Sequence, residues 1–150
     1  MKYHIRKVNI KSKRVQNTLL RLQREILPAT SLADVTCDHW WILYSETNKP
    51  VGFAGMKQSE QFADCVYFHR AGVCDEHTGK KLQRRLIKAR LRKAKAMGFN
   101  WAVTDTRLYN CASSNSLINC GFKMYKPSRP WGFDDACYWR LALLDKKRSV

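Results

Sequence analysis

Between Arg70 and Ile87 the chain reads RAGVCDEHTGKKLQRRLI, an apolar run that breaks into a loop around Gly79 and passes directly into a helix-forming segment. This junction constrains the fold more than any other feature. Leu82, Leu86, Ala89 and Met97 share one helical face, with Ile87 and Ala94 beside them and Gly98 at the end, so a helix is predicted over Leu82–Met97. Lys81, Arg84, Arg85, Lys88, Arg92 and Lys95 lie on its opposite side. The junction is also an anion-binding geometry. The first N–H groups of a helix have no intrahelical partner and sit at the positive end of its dipole, so a loop opened by Gly79 can hold a phosphate there, with Lys80 and Lys81 adding charge. An ordinary strand-to-helix turn with a lysine-rich surface has the same pattern.

The rest of the chain supplies strands and two shorter helices. Tyr3–Val8 alternates weakly, and Val15, Leu19, Leu22 and Ile26 place a basic amphipathic helix over Ile10–Leu27, stopped by Pro28. Trp40–Tyr44 and Val51–Met56 form a hairpin around the turn residues Glu46–Pro50, and Cys65–Val73 reads as the third strand of that meander. Trp101–Thr104 is predicted as a buried strand. Ser113 begins a short helix closed by Gly121, and Phe122–Tyr125 and Cys137–Leu143 are closing strands. This order is α+β, a mixed sheet with helices on both faces. At 150 residues, without a linker, repeat or low-complexity stretch, the chain reads as a single domain over 1–150 with a short basic tail at 145–150.

No apolar run is long enough to span a membrane, and the basic, polar amino terminus lacks a signal core, so a soluble cytoplasmic protein is expected. The cysteines, at 37, 65, 74, 111, 120 and 137, form no CxxC and have no partnering histidine pair. Neither zinc nor a disulfide framework is expected, and most read as small buried hydrophobes with reduced thiols. The charge is unusual: 28 Lys and Arg against 12 Asp and Glu leave a net +16. That balance favours an anionic partner, either nucleic acid or an acidic macromolecule, although each basic helix face also reads as a solvated surface.

A second passage, NCASSNSLINCGFKMY, makes the reading specific. Asn110, Ser113, Gly121 and Phe122 stand in the register of the asparagine, serine and Gly-Phe pattern of the GNAT superfamily of acyl-CoA N-acyltransferases, which the chain resembles from Tyr3 to about Leu143. It looks closest to a branch with HRxGV (His69, Arg70, Gly72, Val73), GxxLQRRLI (Gly79, Leu82–Ile87), TDT (Thr104–Thr106), SxNxLI (Ser113–Ile118), and PW and YWR (Pro130, Trp131, Tyr138–Arg140). The resemblance implies a GNAT-like, mostly antiparallel sheet and acetyl-CoA as cosubstrate. It places the pantetheine arm along Ala71, Gly72 and Val73, with Asn110 nearby and Ser113 beyond it. The pyrophosphate falls over the loop of Thr78, Gly79, Lys80, Lys81, Leu82, Gln83 and Arg84. The family's loop pattern has Arg or Gln, glycine, and glycine or alanine where this chain has Thr78, Lys81 and Gln83. The side chains at 81 and 83 could crowd the phosphates or contact them.

Acetyl transfer needs a neutral amine, a route for its proton, donors for the developing oxyanion and an acid for the thiolate. The family's usual acid, a tyrosine, falls on Leu117, which cannot donate a proton; Tyr109 and Asn115 are the nearby polar groups. A carboxylate base found in some members falls on Tyr67. His69, on the same strand face as Tyr67, has the ordinary pKa closest to neutrality and is the first candidate base, though it also reads as a structural histidine. Asp105 could orient the substrate amine or serve as a turn or cap residue. Trp131, between Pro130 and Gly132, could wall a substrate pocket, whereas Trp40, Trp41, Trp101 and Trp139 read as core. The sequence therefore points to an N-acetyltransferase acting on an amine of unidentified class. A non-catalytic basic module of the same fold, binding nucleic acid or an acidic partner, is the alternative.

Overall fold

The computed structural model describes residues 2–143; the basic tail predicted at 145–150 lies outside the described residues. Strands β1 (His4–Lys7), β2 (His39–Tyr44), β3 (Pro50–Gln58), β4 (Cys65–Tyr67), β5 (Ala71–Val73), β6 (Trp101–Arg107), β7 (Lys123–Tyr125) and β8 (Ala136–Ala142) alternate with helices α1 (Lys13–Ile26), α2 (Leu82–Ala96) and α3 (Cys111–Asn119). The sheet runs β1-β2-β3-β4-β6-β8-β7, with β5 on β3. Only β4 and β6 pair in parallel among the described strands. The mostly antiparallel α+β sheet expected of the family is present.

Alternation along β2 assigns the two faces. Trp40 and Ile42 join Phe53 and the α1 residues Leu19 and Leu22 in one core, while Trp41 and Leu43 pack with Leu82, Leu86, Ile87 and Ala94 of α2 in the other. Helix α1 starts where the Ser12 hydroxyl accepts the Val15 N–H. The buried Gln23 carbonyl accepts the Ala33 N–H at 2.9 Å, and Arg70 donates to the Thr30 hydroxyl and the Ser31 carbonyl. Those bonds tie the stretch 28–38 over the sheet.

Several expectations change. The run Cys65–Val73 is two strands, because β4 pairs with β6 whereas β5 pairs with β3, and residues 68–70 cross between them. Strand β6 continues through Arg107, since β8 supplies partners for Asp105, Thr106 and Arg107, so Asp105 is a strand residue and not a turn or cap. Helix α3 begins at Cys111, capped by Asn110, whose side chain accepts the Ser113 N–H at 3.2 Å. Met97 stands 43% exposed at the helix end, past the last buried residue Ala94, and Arg90 is buried on the face where Met97 was expected. Trp40, Trp41 and Trp139 are core, while Trp101 is half-buried under the Arg140 guanidinium. All six cysteines are free, but only Cys65 is buried; Cys74, Cys120 and Cys137 are half-buried and Cys37 and Cys111 exposed, so most are not the buried hydrophobes expected. Among the described residues no helix is long and apolar enough to cross a membrane.

Candidate active site

The crossing at residues 68–70 creates the site. Strands β4 and β6 stay paired through Tyr67 and Val103. Phe68 N–H then donates to the Val103 carbonyl at 3.0 Å, and the Thr104 hydroxyl closes the pair on the Phe68 carbonyl at 2.8 Å. Beyond that point the chain turns toward β3, where Gly55 N–H donates to the Arg70 carbonyl at 2.7 Å. Strand β5 is left with one strand partner, and a cavity of about 680 Å³ opens between it and β6, lined by Tyr67, His69, Ala71, Gln83, Arg90, Asp105 and Asn110 among others. A Cβ at Gly72 would overlap Ile26, so α1 packs directly on the backbone of β5.

Tyr67 and Asp105, on adjacent strands, meet at the cavity wall. The Tyr67 hydroxyl donates to Asp105 Oδ1 at 2.6 Å, and the Trp131 indole N–H donates to the same oxygen at 3.0 Å. Burial and then the Asp105 charge push the phenol well above its ordinary pKa, so Tyr67 keeps its proton and acts as a donor. Sequence register put the family's base position on Tyr67; the fold brings a carboxylate to that hydroxyl from the next strand. Tyr67 and Trp131 also border a second cavity of about 110 Å³ with Phe62, Val103 and Tyr125.

His69 packs edge-on against Trp40, with ring centroids 4.9 Å apart, and against the backbone of Gly55. Its Nε2 is buried without a hydrogen-bond partner among the described residues, 3.9 Å from an Asp38 carboxylate oxygen. Burial, followed by the charges of Lys57, Arg90 and Arg70, pulls the imidazole down to about 3. The reason for favouring His69 as base, an ordinary pKa near neutrality, does not hold in the fold, where it is neutral.

Residues 78–84, which the resemblance assigns to the pyrophosphate, lie at the head of α2. Gly79 has φ 78°, and Lys81 takes φ 60°, ψ 23°, the left-handed conformation natural to the glycine that the family carries there. The first backbone bond into α2 runs from Arg85 N–H to the Lys81 carbonyl at 3.4 Å, so the N–H groups of Leu82, Gln83 and Arg84 precede the helix ladder. Leu82 is buried in the core and offers only its backbone. Thr78 spends its hydroxyl on the Asp75 carbonyl, and Lys80 reaches the Tyr3 hydroxyl at 3.1 Å.

Not every predicted residue reaches the cavity. Asn110, Ser113 and Leu117 line it, as Ala71 and Gln83 do; Gly72, Val73, Thr78, Gly79, Lys80, Lys81, Leu82 and Arg84 are not part of its lining, Asn115 is exposed on α3 outside it, and Trp131 borders only the smaller cavity. Tyr109 is 74% exposed and outside both linings. Arg90 was missed. It stands four residues after Leu86 and four before Ala94, so the spacing that marked the buried stripe included it, but its charge concealed it.

Residues 11–122 match the acetyltransferase (GNAT) family, and the chain belongs to that family. No curated protein matches the sequence. Solved structures share its fold at low identity. The ribosomal-protein-S18-alanine N-acetyltransferase from Escherichia coli aligns with TM-score 0.76 and 14% identity, covering 99% of each chain. An N-acetyltransferase from Staphylococcus aureus Mu50 gives 0.76 and 16%, covering 96% of this chain and 100% of that one. A Bacillus subtilis acetyltransferase in complex with CoA gives 0.73 and 15%, covering 95% and 100%.

Proposed function

We propose that the protein is an N-acetyltransferase that carries acetyl from acetyl-CoA directly to an amine. The observation that carries this reading is the cleft between β5 and β6, with an unpaired strand edge on one side and the Tyr67–Asp105 pair on the other. Ala71, Gly72 and Val73 would hold the pantetheine arm along that edge, with Asn110 and Ser113 at the head of α3 beside it. The loop Thr78–Arg84 would take the pyrophosphate at the start of α2, on backbone N–H groups and basic side chains. The residues present fit such a group, because the cavity joins the strand edge to the α2 residue Gln83.

The amine enters as an ammonium and must lose a proton before attack. Asp105, whose Oδ1 is held by Tyr67 and Trp131, attracts that ammonium and takes the proton, passing it to solvent. His69, held neutral by its burial, walls the cavity beside them. The neutral amine nitrogen then bonds to the thioester carbon, the carbon–sulfur bond breaks with its electron pair leaving on sulfur, and the nitrogen gives up its second proton to solvent to leave the amide. Positioning supplies much of the rate.

Calorimetric titration with acetyl-CoA at about 0.15 M salt and at severalfold higher salt tests the binding half, since simple charge attraction fades with screening. Micromolar binding that survives salt is expected. CoA release with a panel of small amines, peptides and aminoacylated RNA tests the transfer half. Loss of binding at high salt, together with RNA binding, would move the reading to a non-catalytic basic module.

A further inference from the structure

Arg90 projects from the third turn of α2 under the vertex of the cleft. It is 4% exposed, yet it lines the cavity. Its guanidinium lies 4.4 Å from the centre of the Phe68 ring, Nε donates to the Leu86 carbonyl and Nη1 to the Gly55 carbonyl, each at 3.3 Å. Gly55 is the residue whose N–H holds Arg70 where β5 diverges, so the cation sits at the point from which the cleft opens. No Asp or Glu pairs with it among the described residues. Two neutral carbonyls and one aromatic face do not balance a buried guanidinium, and burial lowers its pKa to about 9. The cavity beside it is where a balancing anion could sit.

We propose that Arg90 receives the negative charge that develops on the CoA sulfur, stabilising the departing thiolate as a fixed cation where the family's proton-donating tyrosine is replaced by Leu117. This rests on the acetyl-CoA reading above. In the step, the carbon–sulfur bond breaks toward sulfur and Arg90 keeps its proton. The thiolate leaves as an ion paired with the guanidinium and takes a proton from water after release. Buried Leu117 lines the same cavity and offers no proton donor there.

The same charge acts on free CoA, whose thiol must become more acidic when bound. Asp34, Asp38, Lys57, Arg70, Asp105 and Arg107 also line the cavity, and comparison of the wild type with the Arg90 variants separates the Arg90 contribution from theirs. The Cys120 thiol, facing Arg90 from α3, is raised by burial, and His69 is held neutral with Lys57 and Arg70 behind it.

The test follows thiolate absorbance of CoA bound to the full-length protein from about pH 6.5 to about pH 9, with a desulfo-CoA complex as the blank for the protein's own thiols. The bound thiol is expected to titrate at least one unit below free CoA, with affinity rising about tenfold per unit of that shift. Desulfo-CoA affinity should follow no such trend. Arg90→Met keeps the stem over Phe68 and removes the charge; it should return the thiol to its free value and leave desulfo-CoA affinity within about twofold of wild type. Arg90→Gln, which keeps a donor for Gly55, replaces it if Arg90→Met does not fold. A wild-type thiol that titrates as in free CoA overturns the proposal, as does a depressed thiol that persists in the folded variant. Failure of both CoA and desulfo-CoA to bind wild type overturns the acetyl-CoA reading itself, and this proposal with it.

Discussion

Lys81→Gly should stabilise the protein, although it removes a side chain from the edge of the proposed phosphate site. At φ 60° and ψ 23°, Lys81 holds a conformation that costs an L-residue about 1–2 kcal/mol, and its side chain makes no capping bond. Glycine removes that strain but adds backbone freedom to the unfolded chain worth about 0.5–1 kcal/mol, so the mid-values leave a net gain of about 0.75 kcal/mol. For a chain of this size the gain corresponds to a rise in Tm of roughly 1–4 °C. Urea unfolding at about 0.5 M salt, where the lost charge is largely screened, should shift the midpoint upward at unchanged m-value. Lys81→Ala keeps the Cβ and therefore the strain, so it should show no comparable gain. Equal stabilisation by alanine, or none by glycine, would refute the argument from backbone conformation. In the wild-type loop the φ 78° of Gly79 is already unstrained, so Gly79→Ala should move stability the other way.

Three further outcomes test the site. Asp105→Asn should lower the transfer rate by about a hundredfold or more while acetyl-CoA affinity stays within about threefold, measured by CoA release and calorimetry. Because the His69 pKa falls from about 6.5 to about 3 on folding, the unfolded chain takes up the proton first as pH drops; the stability that depends on a neutral His69 is complete above about pH 6.5 and is lost toward about pH 3 at up to about 1.4 kcal/mol per unit. Wild type should therefore lose about 2 kcal/mol more than His69→Gln between about pH 7 and about pH 5 in urea unfolding. Asn110→Ala should cost about 1 kcal/mol by uncapping α3, whereas Asn110→Asp keeps the cap; a fall in acetyl-CoA affinity in both would assign the amide to the cosubstrate and not to the helix alone.

The chemistry of the site was only partly legible before folding. Tyr67 and Asp105 were singled out separately, one from strand register and one as a substrate-orienting or turn residue. Their 2.6 Å bond depends on β4 and β6 lying parallel and adjacent, which no local pattern encodes. His69 was chosen on a pKa that belongs to a solvated imidazole, and its packing against Trp40 and Gly55 changes that value. Asn110 carried two meanings at once. The family pattern pointed to the cosubstrate, while in the fold its carbonyl oxygen also serves the first turn of α3.

What the sequence alone determined is whatever rests on periodicity and local chemistry: the three helices, most of the strands, the glycine-opened junction ahead of α2 and the order that marks the family. Those signals survive because a residue's side-chain direction and turn preference are set by its immediate neighbours. The tertiary structure decided the break of Cys65–Val73 into β4 and β5, since strand ends are set by which partner a backbone finds and not by its own composition. It also decided the burial of Arg90. Helical spacing put Arg90 on the buried stripe while its charge argued for solvent, and only the packing of α2 under the cleft buried the cation beside a cavity.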